Sequence, residues 1–321
     1  MRKWLCLFGC VVLLFSGCGK QDLGGPANPD SAGNSNNLIV VGLSQVGSES
    51  DWRLTNTRSY RETFTEKNGY YLIFDDAQQK QENQVKAIRD FILQDVDYIV
   101  LDAIAETGWD AVLAEAKEAG IPVILSDRSV KVEDDSLYTS WIGSNFKKQG
   151  KRAGKWLRNY LEKKNRGEEQ INIVTLQGTL DSTAQLGRTK GFRQILNQQK
   201  NWTMLEQRSG EFVQAKAKEV MEYFLKTYLD IDVVVCQNDN MAFGAIEAMK
   251  EAGRSYGKDG EIIVISFDAT QAALEAVEKG EINVDFECNP DLGPLVDETI
   301  KKLEAGQEVE KIQYVEETYF D

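Results

Sequence analysis

The sequence contains no histidine, and prolines and cysteines are few, with five of each in 321 residues. Histidine is the commonest general acid or base and a common metal ligand, so its absence disfavours a metal site and His-dependent catalysis. Cys6, Cys10 and Cys18 lie near the N-terminus, which leaves Cys236 and Cys288 in the rest of the chain. Both lie in strand-like runs, so two buried thiols are favoured over a single bridge. We therefore expect no metal, no cofactor and no disulfide framework.

Positive charge is also scarce. The chain has 37 Lys and Arg residues against 51 Asp and Glu residues, which gives a net charge of −14. Removing the first 17 residues takes away Arg2 and Lys3 and no acid, and the net charge becomes −16. Such a chain has no basic stripe that could replace the counterions of a phosphate backbone, so we expect no nucleic-acid partner.

The only long apolar run is at the N-terminus, in "MRKWLCLFGCVVLLFSGCGK". Two basic residues precede the run from Trp4 to Phe15, which is shorter than the roughly 20 residues of a membrane-spanning helix. This pattern predicts a signal peptide over residues 1–17, with an uncleaved anchor as the alternative. "LFSGC" resembles the bacterial lipoprotein box, which implies that Cys18 is lipidated. Residues 18–37 are rich in Gly, Asn, Ser and Pro, and this composition predicts a flexible tether after the lipidated Cys18.

From residue 38 onward, strand-like runs alternate with helical segments. "LIVVGLS", "YIVLDAI", "VVVCQND" and "EIIVISFD" are typical of strands, and "QENQVKAIRDFILQ" and "NMAFGAIEAMKEAG" have helical apolar spacing. Alternating strands and helices predict an α/β fold with parallel sheets covered on both faces. The length exceeds what one core usually supports, so we predict two Rossmann-like lobes, separated near "WIGSNFKKQG".

Polar side chains follow several of the predicted strands. They are Glu49, Trp52 and Arg53 after the first strand, Asp127 and Arg128 after the fourth, Asn238 after "VVVCQ" and Asp268 after "IIVISF". Parallel α/β sheets bind ligands at the carboxyl ends of their strands, so these side chains are candidates for a binding site.

Helix capping is the alternative explanation for the Asp and Asn residues, because both types cap helices. It does not explain Arg53 and Arg128, since a positive charge opposes the dipole at a helix N-terminus. We therefore expect another partner to hold these two arginines. Carboxylates, guanidinium groups and an aromatic ring together suit a sugar, whose hydroxyls donate and accept while its C–H face packs on the ring. Trp52 could instead be a core residue, but its neighbours are too polar for a core segment.

The chain resembles the type I periplasmic sugar-binding proteins, the solute receptors of bacterial ABC importers, and within them the galactofuranose-binding receptors. The resemblance covers residues 38 to about 300 and rests on "GLSQVGSESDWR", "DDAQQKQENQ", "ETGWD", "LQGT", "SGEF", "QNDNMAFGAI" and "ECNP", in that order. It implies two lobes joined by a three-segment hinge. The first lobe would comprise residues 38–141 and 289–306, and the second residues 142–288 and 307–321.

The resemblance also implies a role for each candidate residue. Glu49 to Arg53 would form a loop under the sugar, with Trp52 stacking on it, and Asp127 and Arg128 would contact its hydroxyls. The second lobe would contribute four residues, namely Arg188, Phe212, Asn238 and Asp268. The crossings between lobes are expected near residues 141–145, 284–290 and 306–314.

The function that follows is that of an exported receptor, not an enzyme. It is expected to be a monomer in the periplasm or at the cell surface, tethered to the membrane by its lipid, and to pass a monosaccharide to ABC permease subunits. A sensor that presents sugar to a chemoreceptor or a sensor kinase is the alternative.

A glycosidase is disfavoured because the adjacent acids of "FDDA" and "VEDD" point to different faces of a strand. A repressor of the same core fold is disfavoured because a signal peptide stands where its DNA-binding helices would be.

Overall fold

The structure is a computed structural model, and it describes residues 38–321. The twelve strands of this region are β1 Ile39–Gln45, β2 Tyr70–Asp76, β3 Tyr98–Leu101, β4 Val123–Ser126, β5 Ser140–Gly143, β6 Ile171–Gln177, β7 Trp202–Ser209, β8 Val233–Cys236, β9 Ile263–Asp268, β10 Val284–Glu287, β11 Ile312–Tyr314 and β12 Tyr319–Phe320. Its nine helices are α1 Asp51–Thr63, α2 Gln81–Leu93, α3 Asp110–Glu118, α4 Phe146–Lys163, α5 Thr183–Leu196, α6 Gln214–Thr227, α7 Asp239–Glu251, α8 Gln271–Glu278 and α9 Gly293–Glu304. The predicted signal peptide, Cys18 and the predicted tether lie outside the described residues.

The strands form two six-stranded sheets, one in each lobe. The order is β11-β5-β4-β3-β1-β2 in the first sheet and β12-β10-β9-β8-β6-β7 in the second. All pairs are parallel except β10 with β12, which is antiparallel. The predicted fold class, two α/β lobes with parallel sheets, is confirmed.

Each sheet is buried on both faces, as the uninterrupted apolar strands predict. In β8, Val233 and Val235 pack in one core cluster and Val234 and Cys236 in another, because successive side chains of a strand point to opposite faces. In the second lobe, α4 and α5 cover one face and α6, α7 and α8 the other. In the first lobe, α2 and α3 cover one face and α1 and α9 the other.

The chain passes between the sheets three times. These passages, called here the crossings, are residues 144–145 between β5 and α4, residues 288–292 between β10 and α9, and residues 315–318 between β11 and β12. The carboxyl ends of both sets of parallel strands face the cleft between the lobes, which is where a ligand site is expected.

The last segment of the chain differs from the prediction. Residues 307–321 were assigned to the second lobe, but β11 pairs with β5 in the first sheet, and only β12 joins the second sheet. The reason is connectivity, since α9 ends against the first lobe and β5 leaves its edge open to the strand that follows. The predicted boundary after residue 141 also divides β5, whose residues Ile142 and Gly143 pair within the first sheet.

No helix within residues 38–321 is long and apolar enough to cross a membrane. In the same region, no group of three or more acidic or cysteine side chains is arranged to hold a metal ion. Cys236 and Cys288 are both buried free thiols, as the favoured interpretation of the sequence predicts.

Candidate functional site

A small cavity lies between the two lobes, and all nine predicted site residues line it. Its volume is about 20 Å³. The lining residues are Glu49, Ser50, Trp52, Arg53, Asp127, Arg128, Phe146, Ala184, Arg188, Phe212, Asn238, Asp268 and Cys288. A water molecule needs roughly 10–15 Å³, so a ligand as large as a sugar requires the lobes or the lining side chains to move apart.

The stretch after β1 supplies the first residues of the site. Ser50 caps helix α1 by accepting a hydrogen bond from the backbone N–H of Arg53, and the helix begins at Asp51. Trp52 and Arg53 therefore lie on the first helical turn, and the expected loop from Glu49 to Arg53 ends at Ser50. The cap explains this difference, because a Ser ahead of the helix satisfies a backbone N–H that would otherwise lack a partner.

Arg53 is held by three buried carboxylates. Its Nη2 donates to Asp127 Oδ2 at 2.6 Å, its Nη1 to Asp102 Oδ2 at 3.1 Å and its Nε to Glu49 Oε1 at 3.2 Å. Burial by itself lowers the pKa of Arg53, but these carboxylates, Asp127 first among them, outweigh burial and raise it. From the sequence we expected a partner other than the helix dipole to hold Arg53, and these three carboxylates of the protein are that partner.

Arg128 is buried beside the same cluster but is poorly satisfied. Its Nη2 reaches Glu49 Oε1 at 3.4 Å, whereas its Nε and Nη1 have no hydrogen-bond partner among the described residues. Glu49 Oε2 is likewise buried and unpartnered within residues 38–321. Burial and the nearby Arg53 charge both lower the pKa of Arg128. These orphaned atoms belong to side chains that line the cavity, so a polar ligand there can complete their hydrogen bonds.

The second lobe contributes a comparable arrangement around Arg188 on α5. Arg188 Nε donates to Gln149 Oε1 at 3.0 Å, Nη1 donates to the Gln237 carbonyl, and Nη2 lies 3.4 Å from Asp268 Oδ1. Burial raises the pKa of the Asp268 carboxyl well above its ordinary value, and Arg188 opposes that effect. Arg188 and Asp268 both line the cavity, and Arg188 is held by contacts with Gln149, Gln237 and Asp268.

Three of the lining residues have left-handed backbone conformations. The φ angles are 56° at Asp127, 62° at Phe212 and 124° at Asp268. Such conformations are costly for residues other than glycine and are concentrated at functional sites. Phe212 also needs Gly178 beside it, because a Cβ at residue 178 would overlap the tip of the phenyl ring. Strained backbone thus aims these three side chains into the cavity.

Asn238 has a structural role as well as a place in the lining. Its Oδ1 accepts from the backbone N–H of Met241 and caps α7, and its Nδ2 donates to the Phe212 carbonyl at 3.3 Å. The capping alternative that the sequence left open therefore holds for Asn238.

Trp52 both lines the cavity and packs in a core cluster of the second lobe. Its Nε1 donates to the Cys288 carbonyl at 2.6 Å, and the Arg53 guanidinium lies 4.7 Å from the centre of its ring. The hydrogen bond ties α1 of the first lobe to the second crossing. The ring is thereby fixed at the cavity wall.

The lobes touch each other around the cavity. Asp51 and Asn240 form two hydrogen bonds across the cleft, of 3.1 and 3.2 Å. The backbone N–H of Glu106 donates to the Asp181 carbonyl at 2.8 Å. Arg128 lies 5.3 Å from the ring centre of Phe212 in the opposite lobe. The structure is therefore in a closed arrangement.

Sequence reasoning missed several polar residues that support the site. Asp102 directly follows β3, so the strand-end rule could have found it if it had been applied to that strand. Asn56, which accepts from Arg53 and donates to the Pro290 carbonyl, lies one helical turn beyond the capping motif. Gln149 on α4 has no motif in the sequence, and its importance depends on Arg188 lying beside it in space.

A wider groove flanks the same cleft, between α5 and the edge of the first sheet, and includes Tyr138, Lys190 and Tyr314 in its lining. Within residues 38–321, its lining lacks the buried charged atoms without partners that mark the smaller cavity. The smaller cavity is therefore the candidate site.

Comparison with known proteins places the chain among binding proteins. A family model described as a periplasmic binding protein domain matches residues 41–288. The galactofuranose-binding protein YtfQ of Escherichia coli (strain K12) is 40% identical over 286 residues, which cover 88% of this chain and 87% of that protein.

Two solved structures are similar throughout. One, from Mycobacterium smegmatis in complex with β-D-fucofuranose, has 40% identity and a TM-score of 0.84, and the match covers 88% of this chain and 91% of that one. The other is the periplasmic binding protein component of the arabinose ABC transporter from Shewanella sp. ANA-3, bound to α- and β-L-arabinofuranose. It has 40% identity and a TM-score of 0.81, with the same coverage of 88% and 91%.

Proposed function

Because the chain belongs to the periplasmic binding protein family, we propose that it captures one monosaccharide in furanose form, galactofuranose or a related sugar, and releases it unaltered to an ABC permease. The sugar binds between the two lobes, in the cavity that the strand ends surround. The receptor is exported and is tethered to the membrane through a lipid on Cys18.

The observation that carries this proposal is the set of orphaned polar atoms at Arg128 and Glu49. A buried guanidinium N–H or carboxylate oxygen without a partner costs free energy, on the order of 1–3 kcal/mol or more. A sugar hydroxyl donates and accepts at once, so one hydroxyl can bond to Glu49 Oε2 and another to Arg128 Nη1. Binding then supplies the missing hydrogen bonds of both residues.

The balance of charge in the cavity supports an uncharged ligand. Glu49, Asp127 and Asp268 contribute three carboxylates to the lining, and Arg53, Arg128 and Arg188 contribute three guanidinium groups. A phosphorylated or acidic sugar would add negative charge to a site whose positive charges already face carboxylates. Aromatic rings from Trp52, Phe146 and Phe212 add apolar surface for the C–H face of a sugar ring.

The relatives support the ring form. One is named for galactofuranose, one holds β-D-fucofuranose and one holds arabinofuranose, and each is about 40% identical to this chain. The Shewanella relative is a component of an ABC transporter, which supports delivery to a permease.

The test is a panel of neutral pentoses and hexoses that present furanose and pyranose rings, with a sugar phosphate and a uronic acid as charged controls. Galactofuranose, fucofuranose or arabinofuranose is expected to raise the melting temperature in a saturable way, and chromatography is expected to recover the sugar unchanged. Binding of the charged controls alone, or the appearance of a product, would contradict the proposal.

A further inference from the structure

Glu317 lies at the point where the three crossings meet. It belongs to the third crossing, and its Oε1 accepts a hydrogen bond from Ser144 Oγ of the first crossing at 2.5 Å. The same oxygen accepts from the backbone N–H of Asn289 in the second crossing at 3.3 Å. One carboxylate therefore bonds to both of the other chain segments that connect the lobes.

The other oxygen of Glu317 faces Gln149. Gln149 Nε2 donates to Glu317 Oε2 at 2.8 Å and to the Glu287 carbonyl at 3.0 Å. With Nε2 occupied in this way, the amide oxygen of Gln149 points to Arg188 and accepts from its Nε at 3.0 Å. If the amide were reversed, its NH2 group would face the Arg188 N–H, and two donors cannot bond to each other. The acceptor at Glu317 thus sets the orientation that Arg188 requires.

Arg188 lines the cavity and lies beside Asp268, so this chain of hydrogen bonds runs from the hinge to the candidate ligand contacts. Closure of two lobes rotates the segments that connect them. Glu317 belongs to one connecting segment and bonds to the other two and to Gln149, which supports Arg188. It is therefore placed to favour one hinge arrangement and one guanidinium position together.

We propose that Glu317 is a positioning residue for ligand binding, which acts through Gln149 on Arg188 and holds the three crossings in the closed arrangement. This inference rests on the proposed function, since the ligand is the sugar assigned to the cavity. Glu317 does not line the cavity. It reaches the lining through Gln149, which contacts Arg188, and through Ser144, whose Oγ lies 3.2 Å from Cys288 Sγ.

The first test compares Glu317→Gln with Glu316→Gln, using the sugar that the wild type binds. Glu317→Gln keeps the shape but places an NH2 group where an acceptor is needed, whereas Glu316 is exposed next to it. Glu317→Gln is expected to weaken binding at least about tenfold by calorimetry, and Glu316→Gln by less than about twofold. Equal affinities for the two variants would overturn the proposal.

A second comparison separates positioning from a general loss of structure. Gln149→Leu removes the intermediary and is expected to weaken binding to a similar degree. In the double variant Glu317→Gln/Gln149→Leu, the Glu317 change is expected to add less than about twofold, because the link is already broken. A further tenfold loss in the double variant would show that Glu317 does not act through Gln149, and would overturn the proposal.

Hydrogen–deuterium exchange measured without sugar distinguishes failure of the proposed sugar-binding function from failure of the proposed role of Glu317. Faster amide exchange is expected at residues 288–292 in Glu317→Gln than in Glu316→Gln, since a neutral amide oxygen is a weaker acceptor for the Asn289 N–H than the carboxylate oxygen. Failure of the wild type to bind any sugar would refute the proposed function but leave this measurement valid. Unchanged exchange, or faster exchange with unchanged affinity, would refute the role of Glu317.

Discussion

The carboxylate of Asp127 accepts a hydrogen bond of 2.6 Å from the guanidinium of Arg53, and this pair divides the predicted site into two kinds of residue. Arg53 is satisfied by carboxylates of the protein, while Arg128 next to it is buried with two nitrogens that have no hydrogen-bond partner among the described residues. The first arginine mainly stabilises the folded protein. The second has two N–H donors whose hydrogen bonds a ligand can complete.

Substitution of the two arginines should separate stability from binding. Arg53→Leu leaves Asp102 without its counter-ion and leaves Glu49 and Asp127 with Arg128 alone, and it is expected to lower the free energy of unfolding by about 3–5 kcal/mol. Arg128→Ala should destabilise the fold less but weaken sugar binding about 30-fold or more. Chemical denaturation and calorimetry measure the two effects. Arg89→Ala, which breaks an exposed pair with Glu115, is the control and should change neither quantity appreciably. The opposite pattern, with Arg53→Leu as stable as the control, would contradict the division.

The carboxyl group of Asp102 predicts a pH dependence of stability. Burial raises its pKa to about 7 from 3.8, while Arg53 lowers it and Asp127 raises it. Tyr60 and Arg128 also face this carboxyl, and both favour its charged form. A pKa that is higher in the folded state gives stability that is complete below the unfolded value and is lost as the pH rises through the folded value. The folded protein should therefore lose stability between about pH 4 and pH 7 through this group.

Asp102→Asn keeps that position neutral at every pH and should reduce the loss. The decrease in melting temperature from about pH 5 to about pH 8 is expected to be smaller in Asp102→Asn than in the wild type. Asp291→Asn, at an exposed residue, is the control and should follow the wild type. Parallel curves for all three proteins would show that Asp102 does not titrate in this range.

Trp52 should contribute to binding through both its ring and its indole N–H. Trp52→Phe keeps an aromatic face but loses the hydrogen bond to the Cys288 carbonyl, so a moderate loss of affinity is expected. Trp52→Ala removes the ring as well and should weaken binding further. If both variants bound sugar as the wild type does, Trp52 would be a core residue with no part in recognition.

The N-terminal prediction is tested by Cys18→Ser, whose position lies outside the described residues. If the predicted tether separates the predicted anchor from the lobes, the variant should leave the membrane fraction while it retains sugar binding. If the Cys18→Ser variant still fractionated with membranes after cleavage, that result would contradict the lipid anchor and favour an uncleaved apolar one.

The fold and the candidate site were largely predictable from the sequence, for a physical reason. Parallel strands place their carboxyl ends on one edge of a sheet, so Asp127 and Asp268 could be assigned to the site from strand patterns alone. The strand-end rule did not locate Arg188 and Phe212, which came from the resemblance to known receptors. Whether each of these residues contacts a sugar is a proposal that the experiments above address.

The pairing of β11 and the contacts of Glu317 could not be predicted, because they depend on segments that are far apart in the sequence. The sequence of β11 does not say which sheet it joins, since that is decided by α9 ending beside the open edge of β5. Glu317 stands in a polar stretch, "YVEETYF", with no feature to distinguish it from Glu316. Its contacts with Ser144, Asn289 and Gln149 arise only when three distant segments meet.

The most direct test of the central claim is the affinity for sugar of Asp268→Ala compared with that of Asp134→Ala. Asp268 is buried at the cavity beside Arg188, whereas Asp134 is exposed and pairs with Lys117 at the surface. Truncation of a buried charged hydrogen-bonding group should cost roughly 2–5 kcal/mol, which is about 30-fold or more in affinity. Calorimetric titration should therefore show that loss for Asp268→Ala and almost none for Asp134→Ala. Equal affinities would mean that the residues at the strand ends only cap helices and brace the fold, and that the sugar binds elsewhere.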